Sequence, residues 1–334
     1  MNSLHLSRLA RGITAFALVV IVIGAYVRLS DAGLGCPDWP GCYGHLDVPQ
    51  TTDEVERAEQ AFPHRPVETS KAWKEMYHRY FAGTLVILIV VLAIASYKSR
   101  IEPKQVQRMA YFLVGLVIFQ ALLGMWTVTL QVKPAIVTLH LLFGMATVSL
   151  LWMISLVAAT GCRFSFKRNF TSLALMVLVI QIALGGWTST NYAALACTAF
   201  PGCYQGEAWP AMDFAEGFVL WRGLGVNYEF GVLEPDARAA IHMTHRIGAL
   251  VTLFVLAVLG WQGLKKSENT LGRYSAIAIL VFLIIQIGLG INNIISSLPL
   301  LNAVAHNGVA ALLLLSILAY NHSENMGLAQ KNRN

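Results

Sequence analysis

The sequence predicts an all-α integral membrane protein whose eight transmembrane helices form two pseudo-symmetric four-helix bundles. Three observations predict it. The 334 residues are 56% hydrophobic and only 13% charged, more apolar surface than a soluble protein of this length can cover with polar groups. Eight apolar runs approach the ~20 residues that cross a hydrocarbon core. The second half of the chain also repeats the motifs of the first in the same order.

The first run, near 12–30, is long, and no small-residue cleavage site precedes the charged loop after it. It reads as a retained span rather than a signal peptide. The remaining runs lie near 73–97, 109–130, 137–160, 170–190, 237–262, 272–295 and 300–320. Backbone groups in lipid must be paired within their own segment, so runs of this length are helices.

Flanking charge orients the spans. With the N-terminus inside, the cytoplasmic segments hold Arg8, Arg11, Lys98, Arg100, Lys104, Arg108, Arg163, Lys167, Arg168, Lys265, Lys266, Arg273, Lys331 and Arg333, 14 of the 24 basic residues. Only Glu102, Glu268 and Glu324 oppose them there, a net +11, and the other side carries −5, together the +6 of the whole chain. Both termini therefore belong on the cytoplasmic side of a bacterial plasma membrane, with the Cys loops in the periplasm. The basic balance is accounted for by topology, and no basic stripe interleaved with aromatics implies a nucleic-acid partner.

The repeat is carried by chemistry-bearing residues. Cys36-Pro37-Asp38-Trp39-Pro40-Gly41-Cys42-Tyr43 follows the first span, and Cys197-Thr198-Ala199-Phe200-Pro201-Gly202-Cys203-Tyr204 follows the fifth, at an offset of 161. Glu75-Met76-Tyr77-His78-Arg79 opens the second span and His242-Met243-Thr244-His245-Arg246 the sixth, at an offset of 167. Gln120 to Gly124 and Gln286 to Gly290 correspond at 166, as do His140 and His306. Each half has an even number of spans, so the copies share one orientation about an axis along the membrane normal. The halves are 1–165 and 166–334.

Ionisable residues within a bilayer are costly and mark function. His78, His140, His245 and His306 all fall within about two turns of the outer ends of their helices, at about 1.5 Å rise per residue. Two imidazoles at one depth on facing helices can ligate an iron porphyrin, one site per half. Helix-to-helix hydrogen bonding is the competing reading for each histidine. Zinc is disfavoured, because no cysteine or carboxylate completes a tetrahedral set with His242 and His245 at this depth.

Arg79 and Arg246 follow the ligand candidates, placed either to grip haem propionates or to snorkel at the interface. Glu75 and His242 occupy the same position in the two copies, one turn outward of a ligand histidine. Glu75 is thus a candidate acid, base or charge stabiliser, or a solvated helix-start residue. His5, His45, His64 and His322 read as solvated. Cys36/Cys42 and Cys197/Cys203 face the outside, and five residues with Pro and Gly between each pair allow two intra-loop disulfides. Stapling a loop over a haem pocket is their first role, and thiol-disulfide exchange the sharper alternative. Cys162 faces the reducing side.

These residues resemble the heme A synthases of bacteria and mitochondria. The likeness rests on Gly24-Ala25-Tyr26-Val27-Arg28 leading into the first Cys loop, Glu75-x-x-His78-Arg79, His140, His245-Arg246 and His306. It implies oxidation of the C8 methyl of heme O to a formyl group, giving heme A for terminal cytochrome oxidases. It further implies that His78 and His140 bracket heme O, that Glu75 is the catalytic carboxylate, and that His245 and His306 hold heme b. Direct contact with heme O synthase, other cytochrome oxidase assembly contacts and a homo-oligomer are left open. Rival readings are a diheme b electron-transfer subunit, a thiol oxidoreductase using the outer cysteines, and a haem carrier or chaperone.

Overall fold

The computed structural model describes residues 2–99, 103–166, 168–207 and 209–331. Arg100, Glu102, Lys167 and Arg333 of the charge count lie outside them. Eight described helices are long and apolar enough to cross a membrane: α1 (Ser3–Leu29), α3 (Thr69–Ser99), α4 (Gln105–Thr129), α5 (Pro134–Thr160), α6 (Phe170–Thr190), α8 (Pro235–Lys266), α9 (Thr270–Ile295) and α10 (Leu300–Lys331). Two shorter helices, α2 (Thr52–Ala61) and α7 (Phe214–Gly217), sit in the first and third outer loops.

Local chemistry sets the ends. Asn2, Asn169 and Asn269 accept from backbone N–H groups three residues on and start α1, α6 and α9. Pro134 and Pro235 open α5 and α8, where the missing N–H is no loss. Thr51 and Glu54 form a capping box on α2. Gly161, at φ 67°, ends α5 in the left-handed conformation that favours glycine.

Within the first half, α1 packs on α3 and α5, and α4 packs on the same two helices. In the second, α6 packs on α8 and α10, and α9 on the same two. The ligand candidates therefore ride on diagonal helices, α3 with α5 and α8 with α10. One buried apolar core fills each ring, the first including Ile89, Leu113 and Leu151, the second Leu256, Ile279 and Leu313. Helices α1 and α5 meet α6 and α10 along the seam, where Leu315 and Leu318 of α10 enter the first core and Met145 of α5 the second.

One sequence expectation fails here. The last helix runs eleven residues past 320, and His322 is fully buried rather than solvated. It contacts Thr160 Oγ1 at 2.9 Å and stacks on Phe164. The polar character of this stretch does not mark a solvated tail: Asn321 and Asn325 donate to Ser165 O, and Asn169 and Thr171 donate to Glu324. Those hydrogen bonds dock it against the α5–α6 connection. Of the other three, His5 and His64 are exposed and His45 is half-buried.

Candidate functional site

Each of the four histidines rests against a glycine on a neighbouring helix. A Cβ added at Gly24 of α1 would lie 2.8 Å from His78 Cε1, and one at Gly124 of α4 would lie 3.3 Å from His140 Cε1. In the second half, Gly185 of α6 meets His245 Cε1 at 3.1 Å and Gly290 of α9 meets His306 Cε1 at 3.2 Å. The glycines correspond at 161 and 166 residues, the same offsets as the motifs around them. Any side chain at these positions would push an imidazole aside, so the histidine positions depend on glycine as much as on histidine.

His78 and His140 sit on the diagonal helices α3 and α5 of the first ring, and His245 and His306 on α8 and α10 of the second. The Nδ1 atoms of His78, His140 and His306 are enclosed with no protein partner, a costly arrangement that calls for a reason beyond packing. A pair of imidazoles on diagonal helices is a donor set that would hold a porphyrin iron.

Glu75 is buried, 5% exposed, which removes the solvated helix-start reading. Its Oε2 accepts from Cys36 N at 2.9 Å, and its Oε1 pairs with Arg79 Nη2 at 2.5 Å. Arg79 also donates to Pro40 O at 3.2 Å and to Gly41 O. The second half repeats the construction with an imidazole: Cys197 N lies 3.2 Å from His242 Nδ1 and Arg246 Nε 3.2 Å from His242 Nε2, and the ring's one acceptor nitrogen takes a hydrogen bond from one of the two. Arg246 then donates to Gly202 O and Cys197 O. Both arginines hold the Cys loops. Position 75/242 joins the start of that loop to the helix carrying the ligand candidate.

The cysteines pair as expected, Cys36 with Cys42 and Cys197 with Cys203, at Cα separations of 4.8 and 4.3 Å. Cys162 stands outside both bridges. The connection between α6 and α8 reaches over the first half. Arg65 Nη1 and Nη2 donate to Glu229 at 2.6 and 3.0 Å, Lys133 Nζ donates to Arg222 O at 2.6 Å, and Tyr228 N donates to Gln131 O. The Arg65 guanidinium holds the Glu229 carboxyl below the usual carboxylate range, against the opposing effect of burial. Arg28 joins the halves from α1, donating to Ser189 O at 2.7 Å and Tyr192 OH at 3.1 Å.

Residues that sequence reasoning left without a role therefore include the four glycines, Arg28 and the glutamines. Gln120 donates to His140 O, and Gln181 and Gln286 contact the rings of His245 and His306. The repeated Gln-x-x-x-Gly at 120–124 and 286–290 was the visible signal, but it marks position and not partner.

A family of cytochrome oxidase assembly proteins matches residues 7–318. The heme A synthase of Shewanella oneidensis is 43% identical over 325 residues, covering 96% of each chain. Those of Alkalihalophilus pseudofirmus and Halalkalibacterium halodurans are 27% and 24% identical, covering 77% and 91% of this chain and 73% and 92% of theirs.

Proposed function

Because this chain belongs to the heme A synthase family of cytochrome oxidase assembly proteins, we propose that it is a multi-pass membrane oxidoreductase that converts heme O to heme A. The observation that carries the reading is the duplicated arrangement of glycine-seated histidines, a pair on diagonal helices in each half.

In this reading the halves 1–165 and 166–334 divide the work. His78 and His140 take the iron of heme O as substrate, and His245 and His306 hold a resident heme b, which when bound supplies a one-electron redox centre. The all-histidine donor set of each half supports haem ligation, and the resident group is taken as heme b by the family resemblance. The assignment of substrate to the first half is supported by Glu75, a carboxylate one turn outward of His78 where the second half has neutral His242 chemistry.

Glu75 is anchored by Cys36 N and Arg79, which fixes its carboxyl one turn from His78. Its part is to hold charge or a proton near the methyl group that is oxidised. Arg79 balances that charge and keeps the Cys loop seated. The disulfides staple the loops, and their formation fits an oxidising compartment outside the membrane. With the basic residues on the other face, this supports cytoplasmic termini and periplasmic Cys loops.

The test is chromatography with mass analysis of haems extracted from cells that make heme O, with and without this chain. Heme A appearing only with the chain is the expected result. Unchanged heme O beside protein-bound heme b would instead make it a carrier or electron-transfer protein.

A further inference from the structure

Residues 218–232, in the α6–α8 connection, are built the reverse of a water-facing loop. The stretch holds two charged residues in fifteen, and the protein takes up both. Arg222 Nη1 pairs with Glu216 at 2.6 Å, and Glu229 pairs with Arg65 at 2.6 Å. The large apolar side chains go the other way: Leu220, Trp221, Leu224 and Phe230 are each at least 60% exposed. The first outer loop shows the usual pattern. It has seven charged residues between 53 and 68, and α2 exposes Asp53, Glu56, Arg57 and Glu59.

Contacts fix the level of the apolar stretch. Helix α6 has 21 residues, which at about 1.5 Å each come to about 32 Å, against about 30 Å for a hydrocarbon core. Its last turn therefore marks the edge of that core. Trp187 in that turn donates from Nε1 to Gly217 O at 2.9 Å and belongs to a buried cluster against which Phe218 packs. Tyr228 is buried with Val128 of the last turn of α4. The Lys133 ammonium, one residue before α5, lies 3.6 Å from the centre of the Trp221 ring. The stretch thus runs beside the ends of three spans instead of standing clear of them.

We propose that residues 218–232 form an interfacial segment seated in the headgroup layer on the Cys-loop side of the membrane, with Leu220, Trp221, Leu224 and Phe230 against lipid. Four large apolar side chains exposed in one short stretch are a liability in water and are stabilised by the edge of an acyl layer. Tryptophan belongs at that boundary, where its apolar body and its N–H meet different media. Pairing Arg222 and Glu229 within the protein lowers the cost of holding their charges at this depth. The cover that the second half lends to the first is thereby a membrane-surface element. The inference stands apart from the haem reading, because no histidine enters it.

The experiment uses full-length protein in phosphatidylcholine liposomes. On a Cys162→Ser background, with the other four cysteines bridged, Leu224→Cys carries a nitroxide, and Glu56→Cys on α2 serves as the water-facing reference. Power saturation compares collision with oxygen, which concentrates in lipid, and with a nickel chelate, which stays in water. The label at 224 is expected to favour oxygen and the label at 56 the chelate. Chelate access at 224 equal to that at 56 overturns the proposal by placing the segment in water. Exclusion of both colliders from 224 overturns it in favour of a protein partner or a second copy. A second measurement needs no label: the emission that unmodified protein has in excess of Trp221→Phe is expected to be quenched by lipid brominated near the headgroup end of its chains. An unquenched Trp221 share overturns lipid contact.

Discussion

The two halves build the same scaffold and then differ at the residues nearest the histidines. At positions 75 and 242 a carboxyl and an imidazole stand in the same place, between the first cysteine N–H of the loop and an arginine one turn on. An imidazole in place of a carboxyl is therefore enough to hold a Cys loop. The carboxyl of Glu75 belongs to one half alone, and a difference of this kind points to chemistry.

The largest expected effect breaks the comparison at the iron ligands. His78→Ala should lower heme A formation more than about a hundredfold while the second-half haem spectrum persists, and His245→Ala should remove that spectrum. Joint loss of both haem signals from either variant, read by absorbance and pyridine haemochrome, would mean that the halves do not bind independently.

A smaller effect is expected when the halves are made alike. Glu75→His copies the second half, so the Cys loop should keep its protection from protease while heme A formation falls about a hundredfold. Glu75→Gln should likewise bind haem and accumulate heme O or a partly oxidised product, seen by mass analysis. Product at the unmodified level from both variants would reduce Glu75 to its mechanical role.

Removing one staple should cost less. Replacing Cys36 and Cys42 with alanine is expected to lower stability by about 2 kcal/mol in denaturant titration, yet keep heme A formation within about tenfold. Glu75 and Arg79 continue to hold the loop from beneath. Loss of product comparable to His78→Ala would move the disulfide from staple to reactant.

The smallest effect concerns the loop from the second half that covers the first. Because Arg65 depresses the Glu229 carboxyl, their ion pair stabilises the fold fully at neutral pH and is lost only as pH falls through that lowered value. Hydrogen exchange across 219–233 should rise on acidification from about pH 7 to about pH 3. In Glu229→Gln it should already be raised at neutral pH, with little further change on acidification.

Much of this protein is legible without tertiary structure. Hydropathy over about 20 residues reports the spans, because the bilayer acts on each segment by itself. The repeated Cys loops, the Glu/His-x-x-His-Arg openings and the later histidines report the duplication and the candidate ligands, because each is a local string. The Cys36–Cys42 and Cys197–Cys203 pairs were readable from five intervening residues. His322 was misread for the same reason: its local surroundings are polar, and its burial comes from residues about 160 positions away.

What the sequence by itself determined is therefore the set of membrane helices, their duplication and the identity of the candidate iron ligands. Only the tertiary structure decided that Gly24, Gly124, Gly185 and Gly290 make room for those ligands. It also turned Arg79 and Arg246 to the Cys loops and placed Gln181 against His245. The physical reason is reach. A lipid-solvated helix is specified by its own residues, whereas a contact between helices depends on which of several faces the packing brings together, and one missing Cβ on a distant helix is enough to decide it.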